Sequence, residues 1–153
     1  MTAARGRAVR PRPGARLFFY GTLLDPDIQV RVIGRVLTGP ALEPATLRGF
    51  RRVRARGKWF PILVPGLARD RVGGAVALGL TAREIARIVA YENDGYALKP
   101  VTVALDAGRR ARALVFLPGK GGSRALEATA EPWDLARWQK AEKPRVLRLG
   151  LLP

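Results

Sequence analysis

The pattern of apolar and polar residues predicts short strands with few helices between them. Residues 17–20 are four consecutive apolar residues between Arg16 and Gly21, a pattern typical of a short buried strand. Five further extended segments are predicted, over residues 41–56, 59–64, 72–80, 101–105 and 112–117. The last two flank a turn at Ala107 and Gly108, so they indicate a hairpin.

Three helices are predicted from capping residues and from apolar residues at helical spacing. Asp25 and Pro26 suit the N-cap and the first position of a helix that runs to residue 36 or 37. Thr81 and Glu84 form a capping box for a second helix, which ends at residues 92–94. A last helix is expected to begin near Pro132.

The dominance of strands determines the expected fold class. We predict an α+β fold, a small mixed β-barrel or sheet with a few packed helices, rather than a doubly wound sheet. A chain of 153 residues has the length of one domain with its own core. The basic, acid-free N-terminus suggests a disordered tail over residues 1–15, followed by a single domain over 16–153.

Composition restricts the chemistry of this chain. Cysteine and histidine are both absent, which excludes disulfides, thiolate metal sites, cysteine nucleophiles and every Ser-His-Asp arrangement. Proton transfer by an enzyme of this composition falls to Asp, Glu, Lys or Tyr. No apolar stretch approaches the ~18–20 residues of a membrane span, and the N-terminus lacks the apolar segment of a secretory signal. A cytoplasmic protein is therefore expected.

The net charge of +16 has two interpretations. It arises from 28 Lys and Arg against 12 Asp and Glu. A surface this basic is suited to nucleic acid, because binding releases phosphate counterions. The arginines are spread along most of the sequence, however, so a bias in composition is the favoured explanation. Nucleic acid remains the less favoured partner.

Residues 20–23 form the first candidate site. Tyr20, Gly21, Thr22 and Leu23 stand where a strand ends and before a helix begins. A glycine permits a sharp turn there, and the following amides are then free to bind a carboxylate or an oxyanion. The same pattern also fits a plain turn between strand and helix.

Glu92 is the second candidate. Ile85, Ile88, Val89 and Glu92 share one helix face, so Glu92 continues an apolar stripe. It also stands at the negative end of the helix dipole, and burial and dipole both raise the pKa of a carboxylate. The alternative is a frayed last turn in which Glu92 faces water.

Taken together, these segments resemble the gamma-glutamylcyclotransferase-like (avirulence-induced-gene-like) family. Residues 17–23, LFFYGTL, look like its opening signature, and Tyr91-Glu92, with Tyr96 four residues after Glu92, is similar to the end of its catalytic helix. Residues 60–66 and 72–74 match its middle strands, and the resemblance spans about residues 16–140. The family fold is a small mixed barrel with helices packed around it.

The resemblance implies an activity that needs no metal or cofactor. A gamma-glutamyl group cyclises to 5-oxoproline and an amine is released, with Glu92 as general acid/base. Residues 20–23 would hold the glutamyl group largely through backbone amides, and Tyr96 would line the same cavity. One alternative keeps this fold as a non-catalytic binding module for a small amino compound or nucleic acid. Another keeps gamma-glutamyl chemistry with a different amine, which the sequence does not identify, just as it gives no oligomeric state.

Overall fold

The computed structural model describes residues 11–92, 95–119 and 126–150. The strands are β1 (Leu17–Phe19), β2 (Leu42–Arg48), β3 (Phe50–Ala55), β4 (Pro61–Pro65), β5 (Arg71–Ala77), β6 (Tyr96–Ala104), β7 (Arg110–Pro118) and β8 (Ala128–Pro132). The helices are α1 (Pro26–Val32), α2 (Ala82–Glu92), α3 (Leu135–Ala141) and α4 (Lys143–Arg148). The predicted α+β class is confirmed.

Five strands close into a barrel in the order β1-β5-β2-β6-β7. Only the β1–β7 pair is parallel; the other pairs are antiparallel. Because side chains alternate along a strand, one set from each strand fills the interior. This interior consists mainly of Phe18, Tyr20, Ala45, Leu47, Val72, Val76, Val103, Ala113 and Val115, and Leu63 of β4 in the second sheet packs against them.

A second sheet of order β4-β3-β8 adjoins the barrel. The extended ribbon predicted over 41–56 is divided between the two sheets. It bends at Gly49, whose φ of 85° lies in the left-handed region that favours glycine. Strand β2 therefore belongs to the barrel and β3 to the second sheet, which brings β3 across the end of β1.

The helices cover one part of the outer barrel surface. Ile88 of α2, Trp138 of α3 and Val146 of α4 are buried in one cluster with Leu17 and Phe19 of β1. Within the described residues, no helix is long and apolar enough to cross a membrane.

The predicted helix caps are confirmed, while two helix boundaries differ from prediction. Asp25 caps α1, and Thr81 and Glu84 bond each other's backbone amides. Helix α1 ends at Val32 instead of residue 36 or 37, because Gly34 has a φ of 98°. The last helical region begins at Leu135, after the N-cap Asp134, since residues 128–132 form strand β8.

The predicted N-terminal tail falls largely outside the described residues, which begin at residue 11. Residues 12–15 form a turn closed by the Ala15 amide on the Arg12 carbonyl at 2.9 Å. The Gly14 amide donates to the carbonyl of Leu80 at 3.2 Å. The residues just before β1 therefore contact the loop that precedes α2.

Candidate active site

The chain leaves β1 through Tyr20 and Gly21 and enters a 3-10 turn, Thr22–Leu24. The amides of Leu24 and Asp25 close this turn on the carbonyls of Gly21 and Thr22. The three preceding amides, on Gly21, Thr22 and Leu23, donate to no acceptor among the residues that the structure describes. Three successive free amides are the donors that a carboxylate or an oxyanion requires.

Gly21 lies tightly against Pro61 of β4. A Cβ atom at Gly21 would stand 3.0 Å from Pro61 Cγ, so any side chain at this position would displace the proline. The carbonyl of Pro61 in turn accepts a hydrogen bond of 2.6 Å from the Tyr96 hydroxyl. The small residue at position 21 thus allows the turn to approach the strand that orients Tyr96.

Glu92 is the last residue of α2, one turn beyond the buried Ile88. Its side chain is partly buried, and burial raises its pKa from 4.5 to about 8. Near neutral pH the free protein therefore holds Glu92 largely as the neutral acid. A pKa close to the working pH suits a group that both accepts and returns a proton.

Three tyrosines interact electrostatically with the carboxylate of Glu92. Burial raises the pKa of Tyr20, Tyr91 and Tyr96, and the charge of Glu92 adds to the rise at each. The Tyr20 hydroxyl donates to the carbonyl of Phe116 at 2.6 Å. All three phenols therefore stay neutral, and each oxygen keeps lone pairs that can accept from a donor on a ligand.

Tyr91 connects the helix of Glu92 to the turn. Its hydroxyl and the Thr22 hydroxyl are 2.7 Å apart, and Thr22 is buried. The contact joins residues 69 positions apart in sequence. Sequence reasoning gave Tyr91 no role of its own, since only its position beside Glu92 indicated that it belongs to this region.

Arg52 of β3 is a second residue that sequence reasoning missed. Its Nη1 donates to the carbonyls of Tyr20 at 2.8 Å and Gly73 at 3.0 Å, and its Nε donates to the carbonyl of Trp133. The C=O and N–H of a planar trans peptide point in opposite directions. By holding the Tyr20 carbonyl, Arg52 fixes the direction of the free Gly21 amide on the other side of that peptide.

Two buried polar side chains, Gln29 and Asp25, hold the 3-10 turn in place through hydrogen bonds. The Gln29 side chain donates to the Leu23 carbonyl at 2.8 Å and accepts from the Leu37 amide at 2.9 Å. Asp25 is fully buried; its Oδ1 caps α1, and its Oδ2 accepts from Gln139 and Lys143, each at 2.8 Å. These hydrogen bonds therefore restrict the movement of the backbone that carries the free amides.

The structure thus brings Tyr20, Glu92 and Tyr96 together, with Thr22 joined to the same group through Tyr91. Leu23 is buried in the cluster beneath the helices and contributes its amide to the turn. Across residues 11–92, 95–119 and 126–150, acidic side chains form no group of three or more that could hold a metal ion.

Comparison with known proteins gives a consistent result. AIG2-like protein A of Arabidopsis thaliana is 27% identical over 131 residues, which cover 86% of this chain and 76% of that protein. A solution structure from Arabidopsis thaliana matches with a TM-score of 0.63 at 24% identity, covering 92% of this chain and 91% of the other. The crystal structure of an AIG2-like protein from Mus musculus matches with a TM-score of 0.58 at 19% identity, covering 80% and 90%.

The family model described as gamma-glutamyl cyclotransferase, AIG2-like matches residues 17–139, which include the free amides of the turn, Glu92 and Tyr96. The chain belongs to this family.

Proposed function

We propose that this protein cyclises a gamma-glutamyl group to 5-oxoproline and releases an amine, with Glu92 as general acid and base. The observation that carries the proposal is a partly buried carboxylate whose pKa is raised to about 8. It interacts with Tyr20, which leads into the turn of free amides, and with Tyr91, which bonds to that turn. The family to which the chain belongs supports the same reaction class.

The reaction needs one proton carrier. The α-amine of the gamma-glutamyl group attacks its own side-chain carbonyl carbon, a C–N bond forms, and the carbonyl becomes a tetrahedral oxyanion. The ionised form of Glu92, which is the minor form near neutral pH, takes the proton that the attacking nitrogen loses. It returns this proton to the leaving nitrogen as the original amide C–N bond breaks, so Glu92 ends the cycle in the state in which it began.

The remaining groups position the substrate. Because the nucleophile is tethered to the carbonyl, cyclisation has an effective molarity of about 10⁵ M or more. The amides of Gly21, Thr22 and Leu23 would bind the substrate carboxylate or the developing oxyanion. The lone pairs of Tyr20 and Tyr96 would accept hydrogen bonds from the substrate's amino group. The Thr22–Tyr91 contact would hold the turn of free amides in position against helix α2, which carries Glu92.

The proposed reaction is tested by incubating the protein with a panel of gamma-glutamyl amines and quantifying 5-oxoproline by mass spectrometry. The panel includes gamma-glutamyl amino acids and ε-(gamma-glutamyl)lysine, and matched α-glutamyl isomers serve as the control. We expect catalysed release from at least one gamma-linked member and none from the α-linked isomers. Tight binding of a gamma-glutamyl amine without turnover would contradict the enzyme proposal and favour the binding module.

A further inference from the structure

The barrel carries an arginine-rich surface whose residues come from separate parts of the sequence. Four exposed arginines project outward from β2, β5 and β7: Arg48, Arg71, Arg110 and Arg112. Each is adjacent in sequence to a residue that fills the barrel interior, so alternation along the strands turns all four to the outside. We call these four residues the arginine face.

Strand pairing brings the four together. Arg48 of β2 lies directly opposite Arg71 of β5. Strand β6 pairs with β2 on one side and with β7 on the other, and β7 carries Arg110 and Arg112. Since neighbouring strands are ~4.8 Å apart, the strands β5, β2, β6 and β7 span roughly 15 Å along the curved barrel wall.

The residues between the arginines are small. Within the face they are Thr46, Gly73, Thr102 and Ala104. The buried cluster beneath the helices lies against the other part of the outer barrel surface. The arginine face is therefore a convex part of the barrel wall, on which the arginine side chains extend past their small neighbours.

The charge of the face is not neutralised within the protein. None of the four arginines forms an ion pair with any residue that the structure describes. Of the nearby carboxylates, Glu43 bonds to Arg109, and Asp70 accepts from the Leu67 amide at 2.7 Å. Asp106 lies in the turn between β6 and β7. Like charges directly opposite each other, as Arg48 and Arg71 are, destabilise a sheet unless an anion lies between them.

The absence of aromatic residues from the arginine face favours double-stranded over single-stranded nucleic acid. Single-stranded nucleic acid is bound by stacking bases on exposed aromatic rings. Every aromatic side chain of this protein is buried or partly buried, and none belongs to the face. Arginines on a surface without stacking partners suit the phosphate backbone of a duplex.

We infer that the arginine face binds the phosphate backbone of double-stranded nucleic acid without sequence preference. The inference rests on strand register and charge and is independent of the proposed reaction. Duplex DNA presents one negative charge per ~1.7 Å of axis, so the long arginine side chains of the face can contact several phosphates.

The test is fluorescence anisotropy with the full chain and labelled 25-base-pair duplexes of DNA and RNA, titrated in 50–200 mM NaCl. The test variant changes all four arginines of the face to Gln. The control variant changes four exposed helical arginines to Gln: Arg31, Arg83, Arg137 and Arg148. Both variants lose the same charge, and thermal melts show whether each remains folded.

We expect the wild type to bind at least one duplex with a Kd of about 10 µM or tighter at 100 mM NaCl, within the usual range for non-specific binding. The face variant should bind at least about 30-fold more weakly, with a salt slope reduced by about 3 to 4, since each lost phosphate contact removes ~0.9 from the slope. The control variant should lose less than about threefold. The two duplexes distinguish DNA from RNA as the partner.

Three outcomes would overturn the inference. One is absence of wild-type binding to either duplex at 50 mM NaCl. The second is an equal loss in the control variant, which would assign binding to net charge alone. The third is binding to single strands, or to phosphatidylserine vesicles, in clear preference to duplex.

Discussion

At the scale of single residues, the main feature is the partly buried carboxylate of Glu92. The raised pKa of Glu92 has a cost to stability, because the unfolded chain ionises near pH 4.5 and the folded protein near 8. Between these values the folded state binds the extra proton, so its stability falls as the pH rises. Above pH 8 the cost levels off at something on the order of 3–5 kcal/mol.

Glu92→Gln should match the wild type in free energy of unfolding near pH 4.5 and exceed it progressively up to pH 8–9, since glutamine does not ionise. Urea unfolding of both proteins at several pH values measures the difference. Glu127→Gln, at an exposed residue, is the matched control and should show no pH-dependent gain. A difference between Glu92→Gln and wild type that stays constant across this range would mean that the pKa of Glu92 is not raised.

At the scale of elements, the site depends on how closely β1 approaches β5. The two strands pair from Leu17–Ala77 to Phe19–Ala75, and Gly74 lies beside the end of β1. A Cβ atom at Gly74 would stand 2.1 Å from the Phe19 carbonyl oxygen and 2.9 Å from the Phe18 ring. At the neighbouring Gly73, a Cβ atom meets nothing within 4 Å.

Gly74→Ala should destabilise the protein by about 3 kcal/mol or more, because the Phe19 carbonyl of β1 must move and the Phe18 ring must shift with it. Gly73→Ala should change stability by less than about 1 kcal/mol. Chemical denaturation of the two variants measures both values, and equal stabilities would contradict the described β1–β5 contact.

The C-terminal helices are attached to the rest of the protein through Asp25. Burial alone would raise the pKa of this carboxyl, but hydrogen bonds from Lys143, Gln139 and the Ile28 amide outweigh burial and lower it. Its contribution to stability is therefore present above the unfolded-state pKa and is lost as the pH falls through the folded-state value. Asp27 also pairs with Lys143, at 2.7 Å, but its side chain is 64% exposed.

Asp25→Asn should destabilise the protein by about 2–4 kcal/mol, since the amide presents donors to Lys143 and Gln139. Asp27→Asn should cost no more than about 1 kcal/mol, as is usual for an exposed ion pair. Thermal and urea unfolding at pH 7 measure both. If the two substitutions had equal effects, Asp25 would not be the anchor of α3 and α4.

At the scale of the whole molecule, local sequence patterns predicted many of the secondary-structure elements. The contacts between elements depend on which strands pair across the chain. The strand of residues 17–20, the Asp25 cap, the Thr81–Glu84 capping box and the inward face of α2 follow from spacing within about a dozen residues. These local patterns were enough to predict the fold class and to identify Glu92 as a candidate catalytic residue.

The missed features join residues far apart in sequence. Arg52 reaches a carbonyl 32 residues away, and Tyr91 reaches a hydroxyl 69 residues away. The arginine face requires the register of β2, β5, β6 and β7. No local pattern carries that information, because it depends on which strands become neighbours when the barrel closes.

The central claim, that Glu92 transfers the proton, is tested most directly by the rate of 5-oxoproline release from the best gamma-glutamyl amine. The measurement compares wild type, Glu92→Gln and Glu127→Gln at saturating substrate. Glu92→Gln keeps size and shape but cannot accept a proton, so kcat should fall by about 10²–10⁴ while Glu127→Gln stays within twofold of wild type. A Glu92→Gln variant that retains more than about a tenth of the wild-type rate would contradict the account.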